Sequence, residues 1–375
     1  MKDKFLNLCR KADPWNIPGF DPYPFMRPFL FLLDPEFAHA MTIRLLGFNL
    51  GPRTVDEDDP VLRTRLFGLD FSNPIGLAAG LDKQAEVIDQ FMRFGFSHIE
   101  TGTVVLRPQP GNPKPRMFRV PTAKALINRF GWNSVGAEVF AENLKAYRAK
   151  KTNLPRPVGV NIGFNKDSKD PTADYIGSLV KVAPFVDYVV ISVSSPNTPG
   201  ARDLQKREPL SRLLSDLLAA RKTHAPRLPI LLKIAFDLTE EQQEDIAVVV
   251  LKSGIQGLIV GNTSPIRPSN IPREIAMEQG GLSGPPVFRQ STQVLSNMYK
   301  LTKGKIPLIA NCGVSTGEDA YLKIRAGASL VQIFTVLVYD GPLAVRRIKR
   351  ELAGLLHSHG FKSVAEAVGA DHKQV

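Results

Sequence analysis

Asp187-Tyr-Val-Val-Ile-Ser-Val-Ser-Ser-Pro-Asn-Thr198 is a β-branched apolar run that ends abruptly in two serines, a proline, an asparagine and a threonine. It reads as a buried parallel strand that delivers hydroxyl and amide groups to one open end. On its own the stretch also fits an ordinary polar turn, because Ser, Pro and Asn are common turn residues. The rest of the chain decides between the two.

From about residue 75, short apolar strands alternate with amphipathic helices. The candidate strands are Ile75–Gly80, Phe96–Val104, Val158–Gly163, Tyr188–Ser194, Ile230–Ala235, Gly257–Asn262, Pro307–Gly313 and Leu330–Phe334. Helical stretches between them include Lys83–Phe94, Ser134–Lys150, Glu208–Thr223, Thr239–Ser253, Pro286–Lys300, Thr316–Ala326 and Pro342–Leu356. This is the count and length of an α/β fold of the (β/α)8 TIM-barrel type. An open doubly wound sheet is the alternative, but it seldom repeats so evenly. Nearly every strand ends in a glycine or a polar residue: Gly80 followed by Lys83, Thr103, Asn161, Ser194 and Ser195, Lys233, Asn262, Gly313 and Thr335. In a barrel these ends converge on the C-terminal face, where active sites of this fold lie. The convergence points to an enzyme.

Residues 1–60 differ in character. Six prolines from Pro14 to Pro35 accompany two short apolar helices, about Pro24–Leu33 and Pro35–Leu46, before Asp56-Glu-Asp-Asp59 leads into the barrel. The expected division is an N-terminal helical segment, 1–60, and a barrel, 61–375. So apolar a helical pair packs on the barrel, and its exposed face suits a membrane interface.

Composition bounds the rest. Of 375 residues, 43% are apolar and 22% charged, as in soluble globular proteins. The net charge of +12 suits anionic partners. No Lys/Arg block interleaved with aromatics occurs, so nucleic acid is not an expected partner. Two distant cysteines, Cys9 and Cys312, argue against a disulfide framework and for a reducing compartment, and the six histidines form no metal-ligand cluster. Met1–Arg10 lacks the apolar core of a signal peptide, and no run approaches the ~20 apolar residues of a membrane span.

Two lysines stand out. Lys233, in Leu231-Leu-Lys-Ile-Ala235, is costly inside a barrel strand unless it meets an anion or a polarised ring. Lys83 would reach over the same mouth. Glycine-rich turns at Gly280–Gly284, Cys312-Gly313 and Phe334-Thr335 fall where barrels bind phosphate. With neither a GxGxxG fingerprint nor a P-loop, a flavin mononucleotide fits better than NAD or ATP.

The segments Gly76-Leu-Ala-Ala-Gly-Leu-Asp-Lys83, Arg107–Arg119, Ile127-Asn-Arg-Phe-Gly-Trp-Asn133, Ser194-Ser-Pro-Asn-Thr198, Leu232-Lys-Ile-Ala235, Gly280-Gly-Leu-Ser-Gly284, Ala326–Ile333 and Glu366–Asp371 closely resemble those of the quinone-dependent (class 2) dihydroorotate dehydrogenases. The match runs in order along nearly the whole chain. The resemblance implies FMN-dependent oxidation of dihydroorotate to orotate in pyrimidine (UMP) synthesis, with a membrane quinone as acceptor. It places Ser195 as the general base, assisted by Thr198. It places Lys83, Asn128, Arg129, Phe130, Gly131, Trp132, Asn197, Asn262 and Thr263 about the substrate. Ala79, Gly80, Thr103, Asn161, Ser192, Lys233, Gly261, Gly284, Gly313, Phe334 and Thr335 match flavin-contacting positions, and His39 and Arg119 match a quinone tunnel. It further implies a monomer held peripherally, through the N-terminal helices, on the cytoplasmic face of the cell membrane.

The chain departs from the family pattern within the site. Ser192 replaces an asparagine, Gly261 a threonine and Phe334 a tyrosine, and Ala310-Asn-Cys-Gly313 replaces Gly-Val-Gly-Gly; Leu81 and Trp132, each for phenylalanine, are milder changes. These changes open two other readings: a flavin-binding paralogue with weakened, altered or lost dihydroorotate oxidation, and a non-enzymatic membrane-bound barrel.

Overall fold

The computed structural model describes residues 15, 20–52, 57–150, 154, 156–269 and 271–373. Cys9, the Met1–Arg10 segment and part of the 53–60 linker therefore lie outside the described residues. Eight parallel strands close into a barrel: β1 (Ile75–Leu77), β2 (His98–Val104), β3 (Val158–Ile162), β4 (Tyr188–Ser192), β5 (Ile230–Ile234), β6 (Gly257–Val260), β7 (Leu308–Ala310) and β8 (Ala328–Ile333), with β8 pairing back on β1. Neighbours in sequence are neighbours in the barrel throughout, so the doubly wound alternative is excluded. All eight expected strands form, and seven are one to three residues shorter at the polar end than expected; β2 keeps its end at Val104 but starts two residues later, β7 starts one residue later and β8 two residues earlier. The polar ends have left the ladder and are free to turn toward the mouth.

Strand residues alternate between two environments. One set faces the helices and merges with the main core. The other points into the barrel, where Tyr188, Val190, Leu231, Ile259, Ile309 and Leu330 form an apolar layer closed from below by Phe71. Phe71 comes from a small hairpin, Thr64–Leu66 with Leu69–Phe71, that the sequence reading did not anticipate. Its ring meets the His98 imidazole edge-on at 5.3 Å. Gly76 and Gly159 are small because the His98 and Tyr188 side chains occupy the barrel beside them: a Cβ there would lie 2.0 Å and 2.1 Å from those rings.

The barrel helices start on recognisable signals. Thr239 and Thr316 each form a reciprocal capping box, with Gln242 and Asp319 respectively. The helix after β3, Pro171–Val182, also had such a signal, with Asp170 accepting from the Ala173 N–H and Pro171 in the first turn. After β1 the expected helix over Lys83–Phe94 shrinks to Ile88–Met92, because residues 82–87 are held as a turn by the buried Asp82 carboxylate, which accepts from the Glu86 and Val87 N–H groups.

The N-terminal helices are α1 (Tyr23–Leu32) and α2 (Pro35–Gly47), one capped by Asp34 and the other by side chains of the barrel. Arg119 donates to the carbonyls of Leu30, Phe31 and Leu33, satisfying the orphan C-terminal carbonyls of α1. Tyr23 Oη and Arg27 donate to Val338 and Tyr339 carbonyls. Glu36 makes a two-pronged ion pair with Arg116, at 2.8 and 3.1 Å. The acidic linker is also tied down: Asp58 pairs with the buried Lys349 at 2.5 Å. Over the mouth lies a second unanticipated element, a three-stranded antiparallel sheet of Met117–Val120, Ala125–Asn128 and Gly281–Ser283.

Candidate active site

The strand ends and this roof sheet line a cavity at the C-terminal mouth. The β1 end supplies Ala79 and Gly80, with Lys83 beyond; β2 and β3 supply Thr103 and Asn161; β4 supplies Ser192 and Ser195, with Asn197 beyond. Lys233, Asn262, Thr263, Gly313, Phe334 and Thr335 complete the ring of strand ends, while the roof brings Asn128, Phe130, Gly131, Trp132 and Gly284. Three expected residues stand off the cavity. Thr198 sits behind Ser195, with its Oγ1 3.4 Å from Ser195 Oγ. Arg129 turns outward to Glu278 at 2.9 Å and stacks over Phe118. Gly261 has no side chain to project, and Cys312 lies over it.

The loop after β4 is held from three sides. Ser194 Oγ accepts from Asn262 Nδ2 at 2.9 Å, and Ser195 Oγ accepts from the Asn197 N–H at 3.3 Å. Asn197 Nδ2 donates to the Asn128 carbonyl at 3.0 Å, tying loop to roof. Ser195 is thus aimed into the cavity by a backbone that is itself anchored.

Beneath the cavity, one register step above the apolar layer, the inward positions become polar. Glu100, fully buried, accepts from Asn161 Nδ2 at 2.8 Å and Gln332 Nε2 at 2.6 Å, and lies 3.6 Å from Lys233 Nζ. Thr103 Oγ1 donates to Asn161 Oδ1 at 2.5 Å. The sequence reading singled out Lys233 but missed Glu100 and Gln332. Their signal was a polar residue two positions on from an inward-pointing one, His98 and Leu330, within strands that are otherwise apolar.

Lys83 Nζ lies 4.3 Å from the centre of the Phe130 ring. Burial, reinforced by the nearby Arg116, pulls its pKa down to about 8. Burial raises the Cys312 thiol to about 11, so it is protonated and donates to the Asn262 carbonyl at 3.1 Å. Gly284 and Gly313 hold φ of +102° and +83°, and a Cβ on Gly313 would strike Phe288 at 2.6 Å. Among the described residues, the Gly313 and Val314 N–H groups have no protein acceptor. Burial also leaves Gln332 Oε1 without a partner in the cavity floor.

A second, largely apolar cavity lies between the helical pair and the barrel. His39 and Arg119 line it together with Tyr23, Phe31, Leu46, Leu81 and Leu337. His39 Nε2 donates to the Leu81 carbonyl at 2.7 Å, and burial lowers its pKa. Met117 lines both cavities. With Leu126, Tyr339, Phe31, Phe130, Phe334 and Val338 it forms an apolar cluster between them. The sequence reading did not single out Met117. Among the described residues no cluster of His, Cys, Asp or Glu could hold a metal ion, and no helix is long and apolar enough to cross a membrane.

A closed (β/α)8 barrel with a mouth cavity ringed by polar strand ends, a roof sheet and an adjoining apolar chamber has the architecture of a barrel enzyme with two candidate ligand compartments. Comparison with known proteins gives the family. The family model for dihydroorotate dehydrogenase matches residues 61–356. The chain is 48% identical over 355 residues to the dihydroorotate dehydrogenase (quinone) of Azorhizobium caulinodans, covering 94% of this chain and 99% of that protein. It is 46% identical to the mitochondrial dihydroorotate dehydrogenase (quinone) of Mus musculus, covering 92% and 88%. The crystal structure of DHODH from Eimeria tenella in complex with ferulenol superposes with a TM-score of 0.87 at 40% identity, covering 91% of this chain and 96% of that one. The chain belongs to the quinone-dependent dihydroorotate dehydrogenase family, and it is an oxidoreductase. The comparisons lend no support to a non-enzymatic barrel or to an altered paralogue.

Proposed function

We propose that the protein oxidises dihydroorotate to orotate using bound FMN, passes the electrons to a membrane quinone, and serves pyrimidine nucleotide (UMP) synthesis. The observation that carries this reading is the pair of compartments sharing Met117: one polar and rich in amides, the other apolar and opening between the N-terminal helices. The site chemistry fits a flavin phosphate. A buried acceptor without a partner, Gln332 Oε1, awaits a ring N–H, and the Gly313 and Val314 N–H groups suit a phosphate. Ala79, Gly80, Thr103, Asn161, Ser192, Gly261, Gly284, Phe334 and Thr335 would complete that contact. When bound, FMN would supply the acceptor for a hydride from C6 of the substrate and the carrier of electrons toward the quinone.

The chain's own residues do the rest. Ser195 removes the C5 proton; a serine hydroxyl is a poor base, and Thr198 Oγ1 at 3.4 Å is placed to assist. Asn128, Asn197, Asn262 and Thr263 read the ring amides and carboxylate, Lys83 supplies a cation, and Phe130, Gly131 and Trp132 close the roof with Arg129 behind them. Lys233 stabilises negative charge developing on the cofactor side. His39 and Arg119 line the quinone chamber. Phe25, Phe29, Leu32 and Phe37 of the helical pair are exposed, Leu32 by 84%, and suit peripheral contact with the cytoplasmic face of a cell membrane by a monomer.

The test is anaerobic. Purified protein should be yellow, bleach with dihydroorotate and recolour with a quinone analogue. Flavin that stays oxidised in the presence of dihydroorotate would sink the dehydrogenase reading and leave flavin binding standing. Ser195→Ala should keep the flavin and lose the bleaching; bleaching at the parent rate would remove Ser195 from the base role.

A further inference from the structure

We infer that Glu100 is the positioning residue of the cavity floor: its carboxylate fixes the orientation of the Gln332 amide and counterbalances Lys233, and so sets the reduction potential of the bound flavin. The inference rests on the flavin reading above and extends it to a residue that no contact with a ligand would reveal.

The geometry leaves Glu100 no other task. It is fully buried inside the barrel, where an isolated carboxylate is strongly disfavoured unless paired and hydrogen-bonded. Its oxygens are divided between partners: Oε1 takes Asn161 Nδ2 at 2.8 Å and faces Lys233 Nζ at 3.6 Å, and Oε2 takes Gln332 Nε2 at 2.6 Å. Each of these three partners lines the cavity, whereas Glu100 does not. A carboxylate only accepts, so the amide nitrogen of Gln332 must face it. That leaves Gln332 Oε1 as a buried acceptor without a protein partner, on a residue that lines the cavity. Charge follows the same logic. Lys233 alone would put an uncompensated cation under the ring, and in a site shielded from water an anion within 4 Å of that cation tempers its field.

The experiment is a four-corner cycle on flavin-loaded protein: parent, Glu100→Gln, Lys233→Met and the double variant, with the midpoint potential read by dye-coupled anaerobic titration and FMN retention by gel filtration. Glu100→Gln removes a negative charge and frees the Gln332 amide to flip. The potential should rise by at least the equivalent of a tenfold change in the oxidised-to-reduced ratio, about 30 mV for a two-electron couple, and FMN should be held less tightly. Lys233→Met should lower the potential, and the double variant should return toward the parent. If Glu100→Gln leaves both potential and retention at parent values, the inference is overturned. Should Glu100→Gln fail to fold, equal potentials in Lys233→Met and the double variant overturn it in the same way. A parent protein that carries no flavin at all removes the flavin reading and this inference with it, a result distinct from either.

Discussion

Gly261 and Cys312 occupy one volume: a Cβ built on Gly261 would stand 2.8 Å from Cys312 Sγ. Two departures from the family pattern that look independent in the sequence are therefore one coupled change, a side chain lost at 261 and gained at 312. Gly261→Ala alone should destabilise the protein by about 1–3 kcal/mol through overpacking, and part of that loss should return when Cys312→Gly is added. The φ of +121° at Gly261 strains any side chain there, so recovery stays incomplete. Urea unfolding of the four proteins checks it; additive effects would refute the shared volume.

If Lys83 meets the substrate as proposed, binding should depend on pH. With its pKa drawn down to about 8, chiefly by burial, the side chain is an ammonium below that pH and neutral above it. Affinity for an anionic ring should fall as pH rises through 8, appearing as a KM that climbs between pH 7 and 9.5. Lys83→Met should raise KM at pH 7 and flatten the profile. A parent KM that is level across that range would dissociate Lys83 from the substrate.

Lys323 gives a pH signature of stability rather than binding. It is fully buried, donates to Ser291 Oγ at 2.7 Å, lies over the Phe288 ring, and burial brings its pKa from 10.5 down to about 7. Between pH 7 and 10.5 the unfolded chain holds this proton and the native protein does not, so this group's contribution to stability rises with pH across that window. Relative to Lys323→Met, the parent should therefore gain stability from pH 7 to 10. Urea midpoints at pH 7, 8.5 and 9.5 measure the difference, and a constant gap would contradict the shift.

Arg119 should matter to one half-reaction only. It caps α1 through three backbone carbonyls and lines the apolar chamber, away from Ser195. Arg119→Ala is expected to raise KM for a soluble quinone severalfold and to leave the rate of anaerobic bleaching by dihydroorotate within twofold of the parent. Loss of bleaching instead would mean that its role lies on the substrate side.

The barrel was legible because its signal is repeated: each strand needed only to be apolar and to end in a polar group, and an error of a residue or two at an end changes nothing. Ser195, Asn262 and Lys233 could be found by that phase alone. Glu100 and Gln332 carried only the weaker mark of a lone inward polar residue, whose role depends on partners on other strands that the fold alone brings together. The roof sheet stayed hidden for a related reason. Gly281–Ser283 pairs with Ala125–Asn128 across some 150 residues of chain, and no local pattern records such a pairing. Met117 was missed because an apolar residue in a loop-rich segment has no periodicity to betray that it faces two chambers.

The ion pair between Glu36 and Arg116 has a practical consequence. The Arg116 side chain is only 8% exposed, and it also donates to the Pro110 and Asn112 carbonyls. A barrel produced without its first sixty residues would lose both the carboxylate that pairs with this guanidinium and the helix that covers it. It would also lay the apolar chamber wall open to solvent. Such a fragment would be short of stability and prone to self-association before its catalysis was ever measured. Any loss of activity on truncation must therefore be weighed against folding, and Glu36→Gln, which leaves the helices attached, is the cleaner way to ask what they do.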